Sequence, residues 1–218
     1  MPTIPPSWRR SLQDSENSDT PLAPRKILIA GGFGAGKTTL VGAVSEIEPL
    51  TTEETLTQAS VRTDSVHGVE GKTTTTVALD FGRITLARQQ MVLLLFGTPG
   101  QERFWFMWPA LAEGAVGAIV LVDTRRFEDC YPAVEYFLEI RLPFVVAVNC
   151  FDDADSYEPA EVHLALDLPQ GTPVVPCDAR NTDQVRRALI SLVQHAHALA
   201  IRNGPPTLLP SLSRSTRV

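Results

Sequence analysis

The sequence is poor in cysteine and lysine and has no long apolar run. Its three cysteines, Cys130, Cys150 and Cys177, are odd in number and scattered, which excludes a disulfide framework and a zinc knuckle. Apolar runs extend over roughly six residues, whereas a helix that crosses a membrane needs ~20. Because no basic leader followed by an apolar stretch opens the chain, we expect a cytoplasmic protein.

The chain also lacks the basic excess of a general nucleic-acid binder. Its 218 residues carry 19 lysine and arginine side chains against 25 aspartate and glutamate side chains, for a formal net charge of -6. Proteins that bind nucleic acids through the phosphates need a basic face, so no nucleic-acid partner is expected. Only three basic residues are lysines (Lys26, Lys37 and Lys72), which makes a lysine within a motif informative.

The two ends of the sequence differ in composition from the middle. Of the 17 prolines, five lie in residues 1–24 and three in residues 203–218, and both ends are poor in apolar residues. Such segments bury too little surface to offset the entropy of ordering. We therefore predict disordered tails at 1–24 and 203–218 around a single domain at 25–202.

The middle of the chain alternates between short apolar runs and helix-compatible segments. The runs predict six strands, at 26–30, 77–87, 91–96, 116–122, 144–148 and 174–177. An apolar stripe at helical spacing predicts a last helix that opens at Asn181 or Thr182. This alternation predicts an α/β domain whose six-stranded, mostly parallel sheet has one antiparallel strand pair and helices on both faces. The threonine-rich segment 48–75 has no apolar period and is predicted to be a functional or mobile connection.

One motif carries specific chemistry. Residues 31–38, Gly-Gly-Phe-Gly-Ala-Gly-Lys-Thr, match the phosphate-loop pattern G-x-x-x-x-G-K-[ST] between a predicted strand and a predicted helix. Glycines let backbone N–H groups converge on a phosphate, and the helix N-terminus adds positive charge. Lys37 is expected to reach the β- and γ-phosphates, and the Thr38 hydroxyl to bind Mg²⁺. The residues expected to bind nucleotide here are Gly31, Phe33, Gly34, Ala35, Gly36, Lys37, Thr38 and Thr39.

Four further segments follow this loop in a recognisable order. They are Thr76-Val-Ala-Leu-Asp-Phe81, Phe96-Gly-Thr-Pro-Gly-Gln-Glu-Arg-Phe104, Asn149-Cys-Phe-Asp152 and Cys177-Asp-Ala-Arg180. In order and spacing they resemble the guanine-nucleotide motifs of Ras-like small GTPases, over about residues 25–202. With W-F-M-W and V-D-T-R-R, the chain looks most like the actinobacterial conservon GTPases, distant relatives of the MglA type. The resemblance implies a P-loop NTPase with the small G-protein fold.

The resemblance also implies which residues recognise the base. Asp152 is expected to accept hydrogen bonds from guanine, so that a base unable to supply them loses roughly ten- to hundredfold in affinity. Asn149 would brace the loop and touch the base, and the Ala179 N–H would face guanine O6.

At the phosphate end, the resemblance implies a switch and a catalytic residue. Thr76 would close over the γ-phosphate and Mg²⁺, which makes Thr38 and Thr76 the expected metal ligands. The Gly100 N–H would sense the γ-phosphate. Gln101 would orient the attacking water, so Gln101 and Lys37 are the expected catalytic residues.

Four departures from the family pattern qualify these expectations. Gly97 stands where the family usually has an aspartate that holds Mg²⁺ through a water, and Cys150 replaces the lysine that packs along the base. Phe33 occupies a loop position that is usually glycine, where its ring would crowd an arginine finger supplied by a partner. Cys177-Asp-Ala-Arg180 is only a loose version of the Ser-Ala-Lys loop. Binding is expected to survive these changes more easily than hydrolysis.

The cluster Trp105-Phe-Met-Trp108 allows two interpretations, a partner surface and ordinary core packing. Nothing in the sequence decides between them.

The expected function is a GTP-binding switch with slow Mg²⁺-dependent hydrolysis to GDP and phosphate. The resemblance implies bacterial signalling, with a roadblock-type regulator and a sensor-kinase-like protein as partners, and recruitment to the membrane through them. One alternative is a scaffold that binds guanine nucleotides without hydrolysing them. Another is an ATP-dependent phosphotransferase.

Overall fold

The computed structural model describes residues 22–48, 50–57, 74–152 and 154–203. The first strand begins at Ala23 and the last helix ends at Asn203. The predicted disorder of both tails therefore falls almost wholly outside the described residues.

A central sheet of seven strands organises the fold. Its strands are β1 (Ala23–Ala30), β2 (Leu50–Thr57), β3 (Thr74–Leu86), β4 (Met91–Gly97), β5 (Ala115–Asp123), β6 (Phe144–Asn149) and β7 (Val174–Cys177). The spatial order is β2-β3-β4-β1-β5-β6-β7. Strands β4, β1, β5, β6 and β7 are parallel, whereas β2 pairs with β3 and β3 with β4 in antiparallel fashion. The carboxyl ends of the parallel strands consequently share one edge.

Helices connect the strands. They are α1 (Lys37–Val44), α2 (Trp108–Ala112), α3 (Tyr131–Glu139), α4 (Pro159–Ala165) and α5 (Thr182–Asn203). Three 3-10 segments add to them, at Ala87–Gln89, Glu102–Met107 and Thr124–Cys130. Among the described residues, no helix combines the length and apolar character needed to cross a membrane.

The predicted α/β fold is confirmed, with one strand more than predicted. The six predicted strands are present, and β2 is added at the edge from within the segment predicted as a connection. Its sequence, Leu-Thr-Thr-Glu-Glu-Thr-Leu-Thr, is mostly threonine and glutamate, so apolar periodicity gave no signal for it. Residues 58–73 of the same segment lie outside the described part of the chain.

The core lies on both faces of the sheet. Ile27 and Ile29 of β1 belong to one buried cluster, and Leu28 and Ala30 belong to the other. This division explains the continuous apolar runs, since each central strand needs apolar side chains on both sides. Helix α5 covers the first face with Val185, Leu189 and Leu192. Its cap is Asn181, whose Oδ1 accepts hydrogen bonds from the N–H groups of Asp183 and Gln184 at 3.0 and 3.1 Å.

The aromatic cluster divides between the core and the surface. Trp108 is buried, stacks with Trp105 and Tyr136, and donates its indole N–H to the Pro99 carbonyl at 3.2 Å. Phe106 is 67% exposed. Core packing therefore accounts for Trp108, and the interpretation as a partner surface is left with Phe106.

Candidate functional site: a phosphate loop joined to a base-binding edge

The loop after β1 has the backbone that its glycines predict. Gly31, Gly34 and Gly36 have φ angles of 139°, 75° and 102°, a region that other residues rarely adopt. A Cβ on Gly31 would lie 2.3 Å from the Leu121 carbonyl oxygen. The loop is thus seated against the end of β5 and leads directly into α1, whose N-terminus begins at Lys37. This geometry is that of a phosphate-binding loop.

Lys37 is folded onto the loop as a partly buried cation. Its Nζ donates to the carbonyl oxygens of Gly31 at 3.0 Å and Gly32 at 2.6 Å. Burial lowers the pKa of Lys37 to about 8, although the nearby Asp80 carboxylate acts in the opposite direction. A buried ammonium group held by neutral carbonyls favours an incoming anion, because the anion restores the stabilisation that burial removed.

A carboxylate that the sequence motifs did not predict lies beside Thr38. The Thr38 Oγ1 donates a hydrogen bond to Asp80 Oδ2 at 2.7 Å, and Asp80 is buried. Asp80 lies on β3 directly across from Gly97 on β4, since the adjoining pair is Phe81 with Phe96. A Cβ on Gly97 would be 2.9 Å from Asp80 Oδ2. Asp80 therefore occupies the space that an aspartate at position 97 would need.

The donor set around Thr38 suits magnesium. A hydroxyl and a carboxylate are hard oxygen ligands, and Mg²⁺ in nucleotide sites takes one or two such protein groups together with phosphates and water. Within the described ranges, no group of three or more histidine, cysteine, aspartate or glutamate side chains is placed to hold a metal by itself. Thr76, the other predicted ligand, lies on β3, and its side chain is outside the described part of the structure.

The predicted switch residues Gly100 and Gln101 follow β4. A Cβ on Gly100 would lie 2.7 Å from the Phe33 nitrogen, so Gly100 approaches the loop as closely as a glycine allows. The Gln101 side chain is held by its neighbour, because its Oε1 accepts a hydrogen bond from Arg103 Nε at 2.9 Å. Phe33 is 62% exposed. Its predicted obstruction of an arginine finger stays a prediction.

Asn149 connects the phosphate loop to the edge where β6 and β7 end. Its Nδ2 donates to the Ala35 carbonyl at 2.9 Å, and its Oδ1 accepts the Ala179 N–H at 3.0 Å. A Cβ on Gly36 would lie 2.7 Å from Asn149 Nδ2. The N–H predicted to face guanine O6 thus has a partner within the protein, and Asn149 bonds to both loops. Its predicted contact with the base stays a prediction.

Asp152 lies at the outer end of this edge and is paired with Arg180. Its two carboxylate oxygens accept hydrogen bonds from Arg180 Nη1 at 3.2 Å and Nη2 at 3.0 Å. Arg180 also donates from Nε to Asp178 Oδ1 at 2.9 Å. The hydrogen bonds from Arg180 lower the pKa of Asp152, which favours the ionised carboxylate.

The 3-10 segment Thr124–Cys130, which follows β5, contacts the phosphate loop. Asp123, the last residue of β5, is buried, and the bidentate guanidinium of Arg125 lowers its pKa. Arg125 also stacks on the Phe151 ring at 3.6 Å. Arg126 reaches the phosphate loop and donates to the Phe33 carbonyl. The sequence motif V-D-T-R-R contains both arginines, but only the fold reveals their neighbours.

Comparison with known proteins places the chain in a family. The model of the family described as conserved hypothetical ATP binding protein matches residues 29–199. The chain belongs to this family. A relative, the uncharacterized protein MJ1339 of Methanocaldococcus jannaschii, is 30% identical over 135 residues, which are 60% of this chain and 72% of that protein.

Solved structures similar to this chain include G domains of FeoB iron transporters. The G domain of T. maritima FeoB is 19% identical, with a TM-score of 0.56 over 79% of this chain and 99% of that one. The cytosolic domain of the same transporter in a GDP form has a TM-score of 0.58 at 19% identity, over 81% of this chain and 64% of that one. These likenesses show the fold of a G-domain P-loop NTPase.

Proposed function

We propose that this protein is a GTP-binding switch that hydrolyses GTP slowly with Mg²⁺. The observation that carries the proposal is the connection through Asn149, which joins a phosphate loop to an edge that ends in an ionised carboxylate. A carboxylate accepts the two N–H donors on one edge of guanine, and adenine has no matching pair of donors. The resemblance to conservon-type GTPases supports cytoplasmic signalling with a roadblock-type regulator and a sensor-kinase-like protein.

The family description names ATP, and therefore the base is the first point to test. We would compete GDP and ADP, with magnesium, for the wild-type protein and for Asp152→Ala. The wild type should prefer GDP, and the variant should lose roughly ten- to hundredfold of that preference. Glu135→Ala removes an exposed carboxylate from α3 and is the matched control. Equal affinity of the wild type for GDP and ADP would contradict the guanine assignment and favour the ATP-dependent phosphotransferase.

Thr38 and Asp80 are the residues that would hold magnesium, with Thr76 as the ligand expected on β3. When bound, the ion would neutralise charge on the β- and γ-phosphates. Lys37 would exchange its carbonyl partners for phosphate oxygens. Asp80 would supply the carboxylate that the family has at position 97. The glycine at position 97 therefore does not leave the site without a carboxylate.

Slow hydrolysis is expected from the state of Gln101. Its amide oxygen is bound by Arg103 and must be released before it can orient a water. This bond also favours the second candidate function, a scaffold that binds guanine nucleotide and does not hydrolyse it. Single-turnover GTP hydrolysis separates the two, with Gln101→Leu for comparison. A wild-type rate that exceeds that of the variant supports the switch, whereas equal and undetectable rates support the scaffold.

A further inference from the structure

We propose that Arg126 is a second cation of the nucleotide site, which binds the phosphates at the Phe33–Gly34 tip of the phosphate loop. This inference rests on the proposed function and adds a residue and an electrostatic role to it. None of the motifs that suggested the function assigns a role to Arg126. Arg126 is placed at the site only by the contacts of the Thr124–Cys130 segment.

Arg126 is in direct contact with the phosphate loop. Its Nη2 donates to the Phe33 carbonyl and lies 3.1 Å from the point where a Cβ on Gly34 would stand. Gly34 has a positive φ angle, so its backbone is turned in a way that leaves this approach open. The guanidinium therefore stands against the exposed tip of the loop.

The backbone of the segment is shaped to bring Arg126 there. Its φ and ψ angles of -142° and 61° are not helical, and they interrupt the 3-10 segment at this residue. Asp123 on one side and Asp129 on the other hold the guanidinium, at 3.6 and 3.7 Å. A side chain fixed at both flanks loses little further entropy when a ligand arrives.

The charge balance at the loop makes Arg126 necessary. Asp129 packs on the loop itself, since a Cβ on Gly32 would lie 2.5 Å from Asp129 Cβ and 3.0 Å from its Oδ2. With Asp80 and Asp123 there are three carboxylates around the loop, and an unbalanced set would repel a polyphosphate. Arg125 pairs with Asp123, which leaves Arg126 as the cation beside Asp129. The charge of Arg126 also reaches Lys37, whose pKa it helps to lower in the same direction as burial.

The guanidinium is accessible to a ligand. Arg126 is 45% exposed at the side chain, while its bonds to Phe33 and the two aspartates leave the group at the loop surface. An arginine with several donors in a planar fork suits phosphate oxygens better than a point charge does.

The test compares Arg126→Ala and Arg126→Gln with Arg88→Ala, by calorimetry against GDP, inorganic pyrophosphate and guanosine. Arg88 is exposed in the β3–β4 connection, at the opposite edge of the sheet from the loop, and its removal changes the net charge equally. Glutamine retains a donor for the Phe33 carbonyl without the charge. Both Arg126 variants should lose at least tenfold in affinity for GDP and pyrophosphate and keep their affinity for guanosine, whereas Arg88→Ala should match the wild type.

Several outcomes would overturn the inference. If Arg126→Gln binds GDP and pyrophosphate as Arg88→Ala does, Arg126 is only a brace of the loop. An equal loss for guanosine and GDP would likewise indicate a general structural effect. If Arg126→Ala does not fold, Arg126→Gln decides the matter. A wild type that binds pyrophosphate but does not prefer GDP to ADP refutes the guanine switch alone, and a wild type that binds none of the probes refutes both proposals.

Discussion

At the scale of single residues, the site is built from groups that are costly to keep without a ligand. Lys37 has a depressed pKa because it is buried with only carbonyl groups as hydrogen-bond partners. In the folded protein without nucleotide, its neutral form is therefore favoured above a pH of about 8. A bound polyphosphate favours the charged form and raises the pKa again.

Because bound polyphosphate raises the pKa of Lys37, nucleotide binding is predicted to take up protons. With a pKa of about 8 for Lys37, GDP binding at pH 8.5 should take up roughly three quarters of a proton, and far less at pH 7. The affinity should accordingly fall as the pH rises above 8. Calorimetry in buffers of different ionisation enthalpy measures the uptake. In Asp80→Ala the lost carboxylate should move the uptake to lower pH, and an uptake that is absent from the wild type at pH 8.5 would contradict the prediction.

Asn149 is the second residue whose replacement should have a measurable effect on stability. Asn149→Ala leaves the Ala179 N–H and the Ala35 carbonyl without their partner in a buried setting, and each such loss costs about 1–3 kcal/mol. We expect the free energy of unfolding to fall by roughly 2–6 kcal/mol and GDP binding to weaken. Urea denaturation measures the first effect. Gln194→Ala, an exposed change on α5, should leave the stability nearly unaltered, and an equal stability of the two variants would argue against the bridge.

Residues within a continuous motif could be predicted from the sequence, and residues brought in by other elements could not. The loop at 31–38 is one contiguous motif with a fixed spacing, so its presence could be predicted from the sequence. Asp80 and Arg126 have no fixed distance from that motif in sequence. Their positions depend on which strands pair and on a single non-helical residue.

At the scale of elements, the β3–β4 pair determines where the carboxylate near Thr38 originates. The two strands are antiparallel, and the register that pairs Phe81 with Phe96 sets Asp80 opposite Gly97. Only one side chain fits between them, as the 2.9 Å approach to a Cβ at position 97 indicates. The glycine is thus the complement of the aspartate on the neighbouring strand.

This complementarity predicts that the two positions can exchange their residues. Asp80→Ala should weaken the apparent Mg²⁺ affinity of the GDP complex by roughly 10- to 100-fold. Gly97→Asp alone should destabilise the fold, because it overlaps with Asp80. The double variant Asp80→Ala/Gly97→Asp should recover part of the Mg²⁺ affinity. Release of a fluorescent GDP analogue across a magnesium titration measures all three, and a double variant no better than Asp80→Ala would count against the exchange.

The elements themselves were predictable where they are apolar. Six strands and the last helix follow from buried runs and a helical stripe, because water exclusion leaves its pattern in the sequence. Strand β2 could not be predicted in this way. It forms by pairing with β3 at the sheet edge, and its polar sequence has no apolar pattern that would indicate a strand.

At the scale of the whole molecule, one edge of the sheet gathers the site from distant parts of the chain. The site residues lie in the phosphate loop, on β3 at Asp80, in the segment after β5 and in the loops after β6 and β7. They are separated by up to 149 residues in sequence, from Gly31 to Arg180. Both core clusters lie beneath this edge. A ligand there holds several elements of one cooperative fold together.

Nucleotide should therefore stabilise the entire domain. At 100 times its dissociation constant, a ligand that binds only the folded state adds about 2.7 kcal/mol. For a chain of this size that corresponds to a rise in Tm of roughly 5–10 °C. Differential scanning fluorimetry with GDP and Mg²⁺ measures it, and ADP at the same concentration should give a smaller rise. Equal shifts with the two nucleotides would speak against selection of guanine.

The position of Asp80 on β3 couples movement of this strand to coordination of the cation. In this sheet the carboxylate beside Thr38 belongs to β3, the same strand that carries Thr76, and not to the central parallel strands. Thr38 belongs to α1. Any shift of β3 against α1 therefore separates this pair, so rearrangement of the strand and loosening of the cation coordination would occur together as one event.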